Sequence, residues 1–383
     1  MPAKHRIIIL GAGFSRPAGF PLAPDLWQEI RKLSAHLTGR AAKFNHDLEA
    51  YIEYRRDCDG LDLTSETVDF EDFMKFLDIE HFLSLRGKDT WSDEGNEGTI
   101  VTKFLIGKIL ARYVNAHPQV PELYLEFARR LEPRDLVITF NYDTLLERSL
   151  EAVSKPYRLF STRYKSLTNH GGIVDSDRDE VVVLKVHGSI DWFDRTRFER
   201  NLDNHAEQGA PPPTDIIFSD EKTLDLQLLV DGPRPTGDPL KNVYRAKNLA
   251  ALYNKDLLFL ATPRILPPSA AKLVYSPGMN DFWSDISGHG INNFGMSIVG
   301  FSLPPQDDYT RQIVYSLVTN YQKANWGADE LGRTKPPLAI VDFFGDSKKA
   351  EANFRNRYRF VDWSRATLFG TGFDAKILDS IFA

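Results

Sequence analysis

The sequence predicts an α/β protein built on a doubly wound parallel sheet, carrying one helical insertion and a second, irregular one. Short apolar runs stop abruptly at glycine or at polar residues: Ile7 to Leu10 before Gly11, Leu136 to Phe140 before Asn141, Val181 to Val186 before His187, and Met296 to Val299 before Gly300. Continuous rather than alternating hydrophobicity marks strands covered on both faces, as parallel strands are. Helical periodicity follows several of these runs, and parallel neighbours require such crossovers.

Taken in order, Ile7 to Leu10 is the first central strand. Leu26, Trp27, Ile30, Leu33 and Leu37 then recur at helical spacing, with Pro24 and Asp25 suited to a first helical turn. Residues 44–131 lack a strand pattern but hold amphipathic runs at Phe70, Phe73, Phe76 and Leu77, from Ile100 to Val114, and at Leu123, Phe127 and Leu131. They read as a helical insertion with an exposed loop at Asp89 to Gly98. Leu136 to Phe140 and Val181 to Val186 are the second and third strands. Residues 195–253, punctuated by Pro211 to Pro213 and by Asp231, Gly232 and Pro233, read as an irregular insertion or cap. Strands resume at Leu257 to Ala261, Met296 to Val299 and Leu338 to Phe343, with a helix from Asp307 to about Asn325 between the last two.

Composition narrows the function classes. At 383 residues, 42% hydrophobic and 26% charged, the chain has the usage of a folded globular protein, read here as one catalytic domain over 1–383 with two insertions. A net charge of −6 without a basic stripe argues against a nucleic-acid backbone as ligand. The apolar run after Arg6 is too short for a signal or membrane segment, so a cytoplasmic protein is expected. Cys58 stands alone, which excludes an internal disulfide and a four-cysteine zinc site. No HExxH, GxSxG or GxxxxGK[ST] pattern is present, so no metal is expected.

Four strand ends carry candidate chemistry. Gly11, Ala12, Gly13, Phe14 and Ser15, with Pro21 shortly after, form a turn whose backbone suits a pyrophosphate at a helix start, although Arg16 occupies the third glycine position of a dinucleotide fingerprint. The alternative is a plain strand-to-helix turn. Asn141 and Asp143 follow the second strand where open α/β sheets bind ligands, and either also suits a helix cap. His187 ends the third strand as a general-base candidate or a satisfied polar residue. Gly300 and Ser302 repeat the turn logic, with Asp307 suited to cap the helix beyond.

In this order GAGFS with GFP, TFNYD, VHGS and GFS resemble the motif series of the sirtuin superfamily, in particular its bacterial sirtuin-like branch. The resemblance implies a Rossmann-like sirtuin core that takes NAD as substrate. By position it gives Gly11, Ala12, Gly13 and Ser15 to the pyrophosphate, and Gly300 and Ser302 to the adenosine half. Asn141 and Asp143 resemble the pair beside the nicotinamide ribose, and His187 the family's base. Protein-deacylating members carry a four-cysteine zinc module that this chain cannot build, and Leu22 to Pro24 and Phe140 depart from their motifs. The zinc-free branch resembles NAD-hydrolysing effectors of anti-phage defence that deplete the cofactor in abortive infection. It implies a homo-oligomer, and a partner in trans such as a HerA-type ATPase. The reading is therefore an NAD hydrolase releasing nicotinamide and ADP-ribose, with deacylation or ADP-ribosyl transfer as one alternative and an NAD-binding sensor or scaffold as another.

Overall fold

A computed structural model describes residues 5–85, 95–168, 171–255, 262–269, 271, 286, 293–305, 307–323 and 334–383. The expected strand at Leu257 to Ala261 lies outside the described residues except for its flanks, as do most of the expected loop at Asp89 to Gly98 and the end of the helix expected to reach Asn325.

The chain divides into two compact units. The first comprises Met1–Leu22, His117–His187 and Met279–Ala383. Its centre is a seven-stranded parallel sheet made of β1 (Arg6–Leu10), β2 (Leu136–Thr139), β3 (Tyr157–Arg158), β6 (Val181–Lys185), β10 (Gly295–Val299), β11 (Leu338–Val341) and β12 (Ala366–Phe369). An antiparallel hairpin, β4 (Tyr164–Thr168) with β5 (Gly171–Val174), lies between β3 and β6 in the chain. The sheet runs β12-β11-β10-β1-β2-β6-β3, so the chain passes from β1 to β2 and the edge strand β3, fills the place between them with β6, and returns to β1's other side at β10. The α/β class and the parallel pairing agree with the sequence reading.

Burial explains why the central strands were legible. Every residue of β1, β2, β10 and β11 is buried, so each strand is apolar on both faces. Register then aligns their carboxyl ends: Leu10 is paired with Val299 on one side and with Thr139 on the other, and Thr139 with Lys185. The residues that follow these strands therefore emerge in one row. The observed β11 ends at Val341, two residues before the expected Phe343. Beyond β1, Phe14 is packed by Tyr124, Phe127 and Phe373 at ring separations of 5.2, 5.0 and 4.9 Å, which anchors the helix Glu122–Arg130. At the opposite end of β1, Arg6 is 4% exposed and meets Asp135 at 2.7 Å.

The second unit comprises Ala23–Ala116 and Gly188–Gly278. Helices Ala23–Ser34, Lys43–Asp59, Phe70–Phe82 and Glu97–Ala116 make its first part, and Asp25 lies in the first turn of the first of them. Trp27 stacks on Phe70 at 4.8 Å, and Phe44 and Phe73 pack against Trp27 and against each other. Residues 195–253 are more regular than their composition predicts. They hold a helix, Thr196–Glu207, and supply β8 (Leu226–Leu228) and β9 (Val243–Ala246), which join β7 (Trp192–Asp194) in an antiparallel sheet. Among the described residues, no helix is long and apolar enough to cross a membrane.

Candidate active site

The site residues read from the sequence emerge from the row of strand ends in the first unit. After β1 the chain turns at Gly11 into the short helix Ala12–Ser15, and after β10 it turns at Gly300. These turns are pressed together, with the Gly11 amide donating to Val299 O (3.0 Å) and the Gly13 amide to Gly300 O (2.9 Å). Gly300 has φ +63°, and a Cβ there would lie 2.3 Å from Gly13 C and Phe14 N. Glycine at this contact is thus demanded by backbone-to-backbone packing, whatever ligand the turns receive. Leu303, fully buried, also has a positive φ of 53°, a strained conformation three residues beyond Gly300.

Of the other residues in the two turns, Ala12 and Ser302 are exposed, Gly13 and Gly300 are half-buried, and Pro21 is buried. Phe14 turns its ring into the core, so only its backbone faces the turn.

Ser15, Asn141 and Asp143 form one hydrogen-bonded frame. Asn141 Nδ2 donates to Gly11 O (2.9 Å) and Ser15 Oγ (3.2 Å), and Ser15 Oγ donates to Asp143 Oδ2 (2.8 Å). Asp143 Oδ1 accepts from the Leu145 amide (3.0 Å) at the start of the helix Leu145–Ala152, so Asp143 holds a helix start as well as Ser15. Because a carbonyl can only accept, Gly11 O fixes which way the Asn141 amide faces. Its Oδ1 is left without a partner among the described residues. Both oxygens of Asp143 are engaged, while Asn141 presents an acceptor.

Lys185 lies beneath this frame. It is 1% exposed, pairs with Glu147 (2.8 Å) from the helix Leu145–Ala152, and donates through Nζ to the Asp143 carbonyl. Lys185 falls within the third strand expected from the sequence, which gave no sign of this pair, whose members lie on different elements.

His187 is 5% exposed. Its Nε2 lies 2.8 Å from the Tyr309 hydroxyl and 3.7 Å from Asp307 Oδ2, at the start of the helix Asp308–Lys323. Phe140 connects it to the turns, with its ring 5.1 Å from His187 and stacked on Phe301 at 4.4 Å. Tyr309 was missed by the sequence reading. Its position two residues after Asp307 was the available signal, and a half-buried tyrosine on an amphipathic helix looks like any other. Asp307, read as a cap, also points a carboxylate oxygen at His187.

Among the described residues, no group of three His, Cys, Asp or Glu side chains is placed to hold a metal ion.

Residues 135–260 match a family model described as a SIR2-like domain. The match covers less than half of the chain. It contains Asn141, Asp143 and His187 but neither glycine turn. No curated protein matches the chain. Among solved structures, the chain is similar to a Sir2 protein described with a p53 peptide and NAD+, at 13% identity over 98% of this chain and 91% of that one, with a TM-score of 0.28. It is also similar to one concerned with the mechanism and regulation of Sir2 enzymes, at 14% identity over 94% of each chain and a TM-score of 0.30. A third, concerned with sirtuin substrate affinity, gives 14% identity over 98% and 92%, again with a TM-score of 0.30. The parallel sheet rests on its own strand pairing.

Proposed function

We propose that this chain belongs with the sirtuin-like proteins and is an NAD hydrolase that cleaves the nicotinamide glycosidic bond, giving nicotinamide and ADP-ribose. The observation that carries the reading is the Asn141 amide. Its nitrogen is pinned by Gly11 and Ser15, while its oxygen remains an accepting group at the strand ends, where open α/β sheets receive their ligands. The SIR2-like match over residues 135–260, which includes Asn141, Asp143 and His187, supports the choice of NAD.

In this reading, cleavage builds positive charge on the ribose, and the site must bring water to the anomeric carbon. Asn141 Oδ1 accepts a hydrogen bond from that water or from a ribose hydroxyl and so orients it. Asn141 has no proton-accepting nitrogen, so the base is another group. His187 takes the water's proton as the new C–O bond forms and the C–N bond breaks; nicotinamide leaves neutral. Asp143 keeps the Ser15–Asn141 frame in place. Gly11, Ala12, Gly13, Phe14 and Ser15, with Pro21, hold the pyrophosphate through backbone amides, and Gly300 and Ser302 face the adenosine half. The role in the cell is depletion of NAD in anti-phage defence, in a homo-oligomer with a defence partner.

The test is product analysis of NAD incubated with the chain, with and without an acylated peptide. Nicotinamide with ADP-ribose and no need for peptide is the expected result. Release only with peptide would replace the reading by deacylation, and NAD binding without release by a sensor.

A further inference from the structure

His187 differs from the other strand-end candidates because its partners come from a helix that contains none of the four motifs. We propose that Tyr309 and Asp307 are positioning residues for His187: Tyr309 fixes the imidazole through Nε2, and Asp307 stabilises its protonated form. The proposal rests on the hydrolase reading for its kinetic consequence, but not for its geometry.

The Tyr309 hydroxyl is at full hydrogen-bonding distance, 2.8 Å, from Nε2. Burial, reinforced by the nearby Asp307 charge, holds the Tyr309 hydroxyl far above the ordinary phenol range, so it keeps its proton. The Tyr309 hydroxyl is also hydrogen-bonded to the Asp307 side chain. Its one proton goes to that carboxylate, so its oxygen accepts from Nε2–H and keeps the bond in either charge state of the ring, which leaves Nδ1 as the proton-accepting nitrogen.

Asp307 Oδ2, at 3.7 Å, is beyond a good hydrogen bond yet close enough for a strong charge interaction. His187 and Asp307 are 5% and 6% exposed, so water screens their attraction poorly. A buried imidazolium without an anion would be costly. Of the other charged and titratable groups around the ring, Tyr142 approaches from beyond β2 with its ring 6.2 Å away. Lys185, on His187's own segment, has its charge met by Glu147. Phe140 closes another side at 5.1 Å. When His187 takes a proton, the water's O–H bond breaks, an N–H bond forms at Nδ1 while Nε2 keeps its bond to Tyr309, and the positive charge is left facing Asp307.

The experiment is a histidine NMR titration of the full-length protein, wild type, Tyr309→Phe and Asp307→Asn, with His187 assigned by its loss in His187→Ala. A nearby carboxylate raises a histidine pKa, so Asp307→Asn is expected to lower that of His187 by about one unit. The acidic limb of the pH–kcat profile for nicotinamide release then moves to lower pH by the same amount. Tyr309→Phe is expected to reduce kcat about tenfold while KM for NAD stays within about twofold, the size of one lost orienting hydrogen bond. An unchanged His187 pKa in Asp307→Asn, or an unchanged kcat in Tyr309→Phe, overturns the proposal. If His187→Ala releases nicotinamide like wild type, the hydrolase reading has lost its base, and the NMR titration still decides whether Asp307 acts on the ring.

Discussion

Replacing Lys185 by methionine tests how the site is supported from below. Lys185 and Glu147 are each 1% exposed and 2.8 Å apart, so Lys185→Met removes the ammonium group beside a buried carboxylate, in a site that water barely reaches. Removing one partner of a buried ion pair costs about 3–5 kcal/mol, whereas replacing both by apolar groups is often close to neutral. The Asp143 carbonyl also loses its Nζ donor, a further cost of about 1 kcal/mol. Lys185→Met is thus expected to lose about 4–6 kcal/mol, and Lys185→Met/Glu147→Leu to recover all but about 1–2 kcal/mol of it. Urea unfolding followed by circular dichroism measures both. A single variant within about 1 kcal/mol of wild type, or a double variant no more stable than the single, would refute the claim that this pair braces the Asn141–Asp143 segment.

Three further outcomes follow from the same contacts. Gly300→Ala places a Cβ 2.3 Å from the Gly13 backbone at a φ of +63°, whereas Gly19→Ala has a φ of +88° but nothing within 4 Å. The first should cost at least about 2 kcal/mol more than the second in urea unfolding, the difference being the clash rather than the backbone angle. Ser15→Ala removes the donor to Asp143 Oδ2 and a partner of Asn141 Nδ2, so a stability loss of about 2 kcal/mol and a fall of about tenfold or more in nicotinamide release are expected, read by urea unfolding and product chromatography. Burial holds the Asp342 carboxyl above the usual carboxylate value of 3.8. The folded state therefore keeps a proton that the unfolded chain has released, and stability falls as pH rises from 3.8 through the folded value. Asp342→Asn should remove that decline, measured as urea midpoints from about pH 4 to pH 7.

The sheet was legible because β1, β2, β10 and β11 are buried on both faces, which turns a strand into an unbroken apolar run. β3 and β12 were not. Tyr157–Arg158 is only two residues long, and β12 is half-buried or exposed at the sheet's edge, so neither produces such a run. The strand-end polar residues were legible for the same reason as the strands, since Asn141, His187 and Gly300 interrupt apolar segments. Asn141's partners, Gly11 and Ser15, lie in a motif that was itself legible, but the contacts of His187 and Lys185 were not. Tyr309 and Asp307 reach His187, and Glu147 reaches Lys185, from other elements, and helical periodicity records only which face of a helix is apolar. Within residues 195–253 the strands were not legible, because prolines and glycines punctuate strands of three or four residues, too short for alternation to show.

Asn141 bears most directly on the proposed cleavage. Nicotinamide and ADP-ribose formed from saturating NAD should be measured for wild type and Asn141→Ala under identical conditions, with NAD binding followed in parallel. Release by wild type and a loss of about a hundredfold or more in the variant, with NAD still bound, are expected. Equal release by the two proteins would contradict the proposal.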